Sequence, residues 1–352
     1  MDYKKEIEKL VGLCLKGGAS DLHLSVGRTP FIRVSNNLIP FLKEAVITDS
    51  DMKGFLNIFI SPANKEILER EKTVDFSYNL SDARFRGNVY FHQGNVSIAL
   101  RLIPKVIRTL SELNLPPILE MFTRKSQGFF LVVGPIGQGK TTTLATMIEM
   151  INQTRSEHIL TIEDPIEYQF ESKKSIIDQR EIRIDAPDFS NALTAMFRQD
   201  IDVCMVGEMR DINTIATAVT ASETGHLIFS TLHTNNAAQT IDRIIDSFPP
   251  NQQDQIRVQL AGSLSGVFSQ RLIPRISGGL VPACELLINN TAISNLIRER
   301  RTHELNTVIE TSSQEGMIDM NRSLAELVRM GEITVENAYQ NSLNQKNLER
   351  MI

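Results

Sequence analysis

A run of apolar residues from Phe129 to Val133 passes directly into Gly134-Pro135-Ile136-Gly137-Gln138-Gly139-Lys140-Thr141-Thr142. The stretch Thr141–Asn152 then places Leu144, Met147, Ile148 and Ile151 on one helical face. An apolar strand entering GxxxxGK[ST] and an amphipathic helix leaving it is a phosphate-binding loop in its expected setting. The glycines let backbone N–H groups turn inward around phosphate oxygens, and the start of the helix adds positive potential. Lys140 is placed to reach the β- and γ-phosphates, and the Thr141 hydroxyl to ligate Mg²⁺. The junction commits the chain to an α/β architecture.

The surrounding sequence agrees. His158–Ile162, Val203–Val206 and Leu227–Leu232 are further short apolar runs. Between them lie helical stripes: Leu193, Met196 and Phe197, then Ile212, Ile215, Ala216 and Val219. Such alternation predicts a parallel sheet covered on both faces. After about residue 250 the pattern reads as all helix.

Residues 1–105 read differently, as a small mixed domain. Ile7, Leu10, Val11 and Cys14 have helical spacing, and Gly17-Gly18 stops that helix. Asp21–Ser25 and Phe31–Val34 alternate at period two, and Arg84–Leu102 reads as two strands joined around Gly94-Asn95. A hinge is expected between Pro104 and Pro116-Pro117, where proline breaks continuous structure.

Acidic residues follow two of the apolar runs. In Leu160–Pro165 the proline ends the strand and leaves Glu163 and Asp164 near its carboxyl end, the edge where open α/β sheets bind ligands. A carboxylate there can orient or deprotonate an attacking water; equally, the pair can cap a loop. In Val203–Glu208 the acid after the strand is Glu208, preceded by Gly207, which suits contact with Mg²⁺ through a bound water. Asp200 and Asp202 precede that strand and lie at its opposite end. His226 and His233 flank the run Leu227–Leu232. His226 at its start reads as structural, and His233 at its end faces the ligand edge, within reach of a γ-phosphate.

Composition excludes several classes. Of 352 residues 41% are hydrophobic and 22% charged, which rules out global disorder. No apolar run approaches the length of a transmembrane helix, and the first residues lack a signal-peptide core. Cys14, Cys204 and Cys284 are too far apart for a zinc module or a disulfide framework, which points to a reducing compartment. Residues 1–105 hold 15 Lys and Arg against 12 Asp and Glu, and the remainder 22 against 30. A net charge of −5 with no basic stripe argues against a dedicated nucleic-acid binder such as a DNA translocase. The cluster Arg298, Arg300, Arg301 alternates with Glu299 and Glu304 and reads as a solvated face.

Taken in order, the P-loop, ILTIEDPIEY, VGEMRD and TGHLIFSTLHT resemble the secretion-superfamily ATPases, and GASDLH with FIRV resembles their N-terminal domain. The segment Ala292–Glu299 is similar to the AIRNLIRE element of the pilus retraction branch, with Ser294 in place of an arginine. The resemblance implies an N-terminal small α+β (PAS-like) domain over 1–105 and a hinge linker over 106–117. A RecA-like P-loop ATPase domain then spans 118–352, with a helical C-terminal region from about 250. It implies ATP and Mg²⁺ as cofactors, Glu163 as catalytic glutamate, Glu208 as Walker B acid and His226 and His233 as a histidine box. Arg84 and Arg101 match the family's arginines supplied to the nucleotide. It further implies a homo-hexamer driving type IV pilus retraction and twitching motility at the cytoplasmic base of the machine. There it would work on an inner-membrane platform protein, alongside an accessory retraction ATPase. Pilus-assembly and type II secretion ATPases share the boxes but carry a longer N-terminal extension and a tetracysteine module, absent from this sequence.

Overall fold

The computed structural model describes residues 2–34, 37–80, 83–103, 106–209 and 211–352. They divide into two compact units, Met1–Val106 with Pro165–Gln169, and Ile107–Asp164 with Phe170–Ile352. Pro104, one of the two proline sites bounding the expected hinge, lies outside the described residues.

The first unit holds a six-stranded antiparallel sheet of β1 (Asp21–Ser25), β2 (Phe31–Val34), β3 (Asn37–Pro40), β4 (Thr73–Leu80), β5 (Ala83–His92) and β6 (Asn95–Ile103), in the order β3-β2-β1-β6-β5-β4. Its first helix, Tyr3–Lys16, is capped by Asp2, which accepts from Lys5 N, and buries Ile7, Leu10, Val11 and Cys14. Gly17 caps the far end and Gly18 turns the chain at φ 61°, a conformation glycine adopts without strain. The β5–β6 hairpin turns through Gln93 and Gly94, both at positive φ, with His92 opposite Asn95. Helices Asp49–Phe59 and Pro62–Glu71 complete the unit.

The second unit is built on a seven-stranded sheet of β7 (Gly128–Val133), β8 (His158–Glu163), β9 (Ile176–Glu181), β10 (Val203–Val206), β11 (Leu227–Leu232), β12 (Leu264–Pro274) and β13 (Leu280–Ile288), in the order β13-β12-β7-β11-β10-β8-β9. Strand β7 is apolar throughout because both of its faces are covered. Phe129, Leu131 and Val133 join a core with Ile215, Val219 and Ile241 from helices Ile212–Glu223 and Ala237–Asp246. Phe130 and Val132 join the other, with Leu144, Met147, Ile148 and Ile151 of the helix after the P-loop. Residues 107–117 pack within this unit: Leu110 and Leu115 are buried beside Leu119 and Phe122, and Thr146 Oγ1 donates to Arg108 O.

Two expectations need correction. The region after residue 250 is not all helix, because β12 and β13 form a hairpin there, and the sheet is not purely parallel, because β13 runs antiparallel to β12. Both strands are almost fully buried but carry Ser265, Ser269, Gln270 and Glu285 inside. Gln270 and Glu285 find partners far away in sequence, in Gln138, Thr143 and Ala237, so burial of these polar positions has no local signal. Beyond the hairpin the chain is helical, from Thr291–Arg298 to Gln345–Glu349. The Arg300 and Arg301 side chains pair with Asp254, Glu299 and Glu304 on the surface, as the solvated-face reading expects.

Candidate active site

At the end of β7 the chain turns through Gly134 (φ 149°), Gly137 (φ 79°) and Gly139 (φ 78°) before the helix Lys140–Thr154 begins. Gly139 is the N-cap and brings no side chain to the first amides of the helix, whose partial positive charge faces the loop. Ile136 at the loop tip is 84% exposed, so packing does not hold it there. Lys140 is 7% exposed, and its Nζ donates to Gly134 O at 2.8 Å and Pro135 O at 2.9 Å. It also lies 3.2 Å from His233 Nδ1. The ammonium is thus folded back beneath the loop, positioned by the carbonyls of the loop itself. Thr141 and Thr142 follow in the first turn, both half-buried.

Parallel pairing aligns the other groups along the same edge. Leu232 pairs with Val133, so His233 emerges beside the P-loop. Val206 pairs with Ile162 and with Ser230, which sets Gly207-Glu208 and Glu163 at the same end. Gly207 N donates to Ile162 O at 2.8 Å and Thr231 Oγ1 to Gly207 O at 2.6 Å. Across the edge the order is P-loop, His233, Glu208, Glu163, all within ~14 Å of sheet width at about 4.8 Å per strand. Glu163 is buried; its Oε1 accepts from Thr161 Oγ1 at 2.7 Å and from Gln179 Nε2 at 3.3 Å. Asp164 is half-buried and 3.8 Å from Arg183 Nη2.

Other predicted residues lie elsewhere. His226 is at the amino end of β11, where its carbonyl accepts from Gly128 N, at the opposite edge of the sheet from the P-loop. Its ring is 3.1 Å from Ala221 O and edge-on to Phe197. Asp202 shares that edge, accepting from His158 N at 2.8 Å. Arg84 and Arg101 belong to the first unit. The buried Arg84 guanidinium donates to Ile166 O at 3.1 Å and to Ser77 Oγ at 3.3 Å, while Arg86 pairs with Glu167 at 3.2 Å. Arg101, with 69% of its side chain exposed, donates to Asp21 at 2.9 Å. Ser294 donates to Ala261 O at 2.8 Å and to Asn289 Oδ1 at 3.0 Å, a local role.

Sequence reasoning missed two kinds of residue at this edge. Gln179 lies on the edge strand β9, whose polar sequence IIDQRE carries no apolar signal. Gln270 and Glu285 lie on the unrecognised hairpin. Glu285 Oε1 accepts from Ala237 N at 2.8 Å and Ser269 Oγ at 3.2 Å, pinning the helix that follows His233. Burial pushes its carboxyl up to about 7, with Asp319 adding to the rise and the two hydrogen bonds and Arg271 opposing it. A free carboxyl loses its proton near 4.5, so between 4.5 and about 7 the folded state binds more protons and stability falls as pH rises. Glu285→Gln should flatten that fall, at most ~3 kcal/mol, in urea denaturation across pH 5–7. A slope identical to the parent would assign the dependence to other groups.

Among the described residues no cluster of three or more His, Cys, Asp or Glu has the arrangement to hold a metal. The Thr141 hydroxyl and the Glu208 carboxylate suit Mg²⁺ carried on substrate phosphates with its own waters. No helix of the described residues is long and apolar enough to cross a membrane.

Comparison with known proteins agrees with this geometry. Residues 4–352 match the family model described as Type II/IV secretion system protein. The type IV pilus retraction ATPase PilT of Pseudomonas aeruginosa is 41% identical over 95% of this chain and 97% of its own length. A twitching motility protein of Neisseria gonorrhoeae is 42% identical over 91% and 86%. The crystal structure of the pilus retraction motor PilT with bound ADP superposes with a TM-score of 0.91 at 44% identity, covering 97% of this chain and 98% of that one. With a phosphate loop, a partnered lysine and two glutamates on one sheet edge, the chain belongs to the Type II/IV secretion system protein family, as a P-loop ATPase.

Proposed function

We propose that this protein is the ATP-hydrolysing motor of type IV pilus retraction, a homo-hexamer that converts ATP turnover into domain movement. The observation that carries the chemical part is the arrangement along one sheet edge: Lys140 against His233, with Glu208 and Glu163 on the next two strands. Likeness to retraction ATPases over nearly the whole chain supports the biological part. Backbone amides of the P-loop and the Lys140 ammonium grip the phosphates. Thr141 and Glu208, the latter through a water, would hold the magnesium ion, which supplies charge neutralisation at the β- and γ-oxygens. Glu163, oriented by Thr161 and Gln179, takes the proton of the attacking water. His233, beside the lysine, registers whether a γ-phosphate is present.

The exposed Arg101 is the better candidate for a mobile cation that meets the γ-phosphoryl charge when the assembly closes. Arg84 is committed to the segment that directly follows Glu163-Asp164, and in our reading it positions that segment. His226 keeps a structural role. The motor would act from the cytoplasmic face of the inner membrane on a pilus platform protein.

Deleting the gene should leave cells with abundant surface pili and no twitching, restored by the parent gene and not by a Lys140→Ala copy. Cells without pili would point to assembly and overturn the retraction reading.

A further inference from the structure

The P-loop is held from the side as well as from its ends. Gln270, on β12, is 3% exposed, and both ends of its carboxamide are used. Nε2 donates to Gln138 O at 2.7 Å, and Oε1 accepts from Thr143 Oγ1 at 2.6 Å. Gln138 answers from within the loop, its Oε1 accepting from Leu272 N, also at 2.6 Å. The strand lies so close that a Cβ on Gly134 would sit 2.4 Å from Gln270 O, and one on Gly139 3.0 Å from Gln270 Nε2. Glycine at these two positions therefore serves the approach of β12 as well as the backbone turn.

Phosphate binding needs several amides of one loop to converge, and a loop free to adopt other conformations loses affinity in proportion to its time away. We propose that Gln270 is a positioning residue which, paired with Gln138, clamps the middle of the P-loop in its phosphate-receiving conformation. Strand β12 thereby sets nucleotide affinity. This rests on the reading of Gly134–Thr142 as the ATP site. Ser269, the preceding residue of β12, bonds Glu285, which holds the start of the helix after His233. One strand thus supports both the loop that grips the phosphates and the segment beside its lysine.

The test titrates full-length protein with fluorescent N-methylanthraniloyl-ADP and Mg²⁺, and measures ATPase kinetics in parallel. Gln270→Ala should weaken the ADP analogue about tenfold and raise the KM for ATP alike, since a buried hydrogen-bonded pair is lost. At saturating ATP, kcat should stay within about threefold of the parent. Gln138→Ala keeps the backbone carbonyl that Gln270 holds but loses the bond to Leu272 N, so it should weaken binding in the same direction, and the double variant should bind more weakly than either single variant. Unchanged affinity in Gln270→Ala, or a fall confined to kcat, would each overturn the proposal. If Gln270→Ala fails to fold, Gln138→Ala in the half-buried loop carries the test, and parent-like affinity there overturns it. Lys140→Ala separates the two layers: if it too binds the analogue normally, the phosphate site itself is misassigned. If it loses binding while both glutamine variants keep theirs, the clamp alone falls.

Discussion

Replacing Lys140 by alanine is expected to reduce ATP hydrolysis by about 10³-fold or more while leaving the fold intact, because one group serves both to bind phosphate and to stabilise charge in the transition state. The ammonium is already desolvated beneath the loop, bonded to Gly134 O and Pro135 O. Turned from those carbonyls to the phosphate oxygens, its charge acts in a low-dielectric setting. Alanine removes a buried donor from the Gly134 and Pro135 carbonyls, so a stability loss of about 1–3 kcal/mol, well short of unfolding, should accompany the loss of activity. Phosphate release measured on the purified variant decides the matter. Turnover at the parent rate would remove the P-loop from the chemistry.

Glu163→Gln should separate binding from turnover. The amide has the shape of the carboxylate, and its oxygen can still accept from Thr161 Oγ1 and Gln179 Nε2, so the edge of β8 is preserved. What disappears is basicity. Nucleotide affinity should remain within a few-fold of the parent, and kcat should fall about 10²-fold or more if the carboxylate takes the proton of the attacking water. Single-turnover kinetics with bound ATP distinguishes this from slow product release. Near-normal turnover would transfer the base to another group at the edge, with Glu208 the first to examine.

Most of the candidate site is legible in the sequence. The P-loop announces itself through glycine spacing and its strand–helix setting, and the acids through their position after apolar runs. His233 and Glu208 were placed at the ligand edge on the same reasoning, and the strands β8, β10 and β11 emerge where the apolar runs lie. The failures have two causes. Strands β12 and β13 bury serine, glutamine and glutamate whose hydrogen-bond partners lie up to 132 residues away, as between Gln270 and Gln138. Strand β9 sits at an open edge and needs no apolar face. Periodicity reports how a segment meets the core, and it is silent where a buried position is satisfied by a polar partner from another part of the chain.

The residue order alone determined that this chain would carry a phosphate-binding loop between strand and helix, acids at the ends of neighbouring strands, and an α/β core to hold them. These depend on local chemistry: glycine at positive φ, helix start, apolar run length. Only the tertiary structure decided that Gln270 and Gln138 would brace the loop, that Gln179 would orient Glu163, and that Arg84 would be spent on the Ile166 carbonyl. The physical reason is that hydrogen bonds between distant segments depend on strand order and register, which are set by how the whole sheet buries its surface.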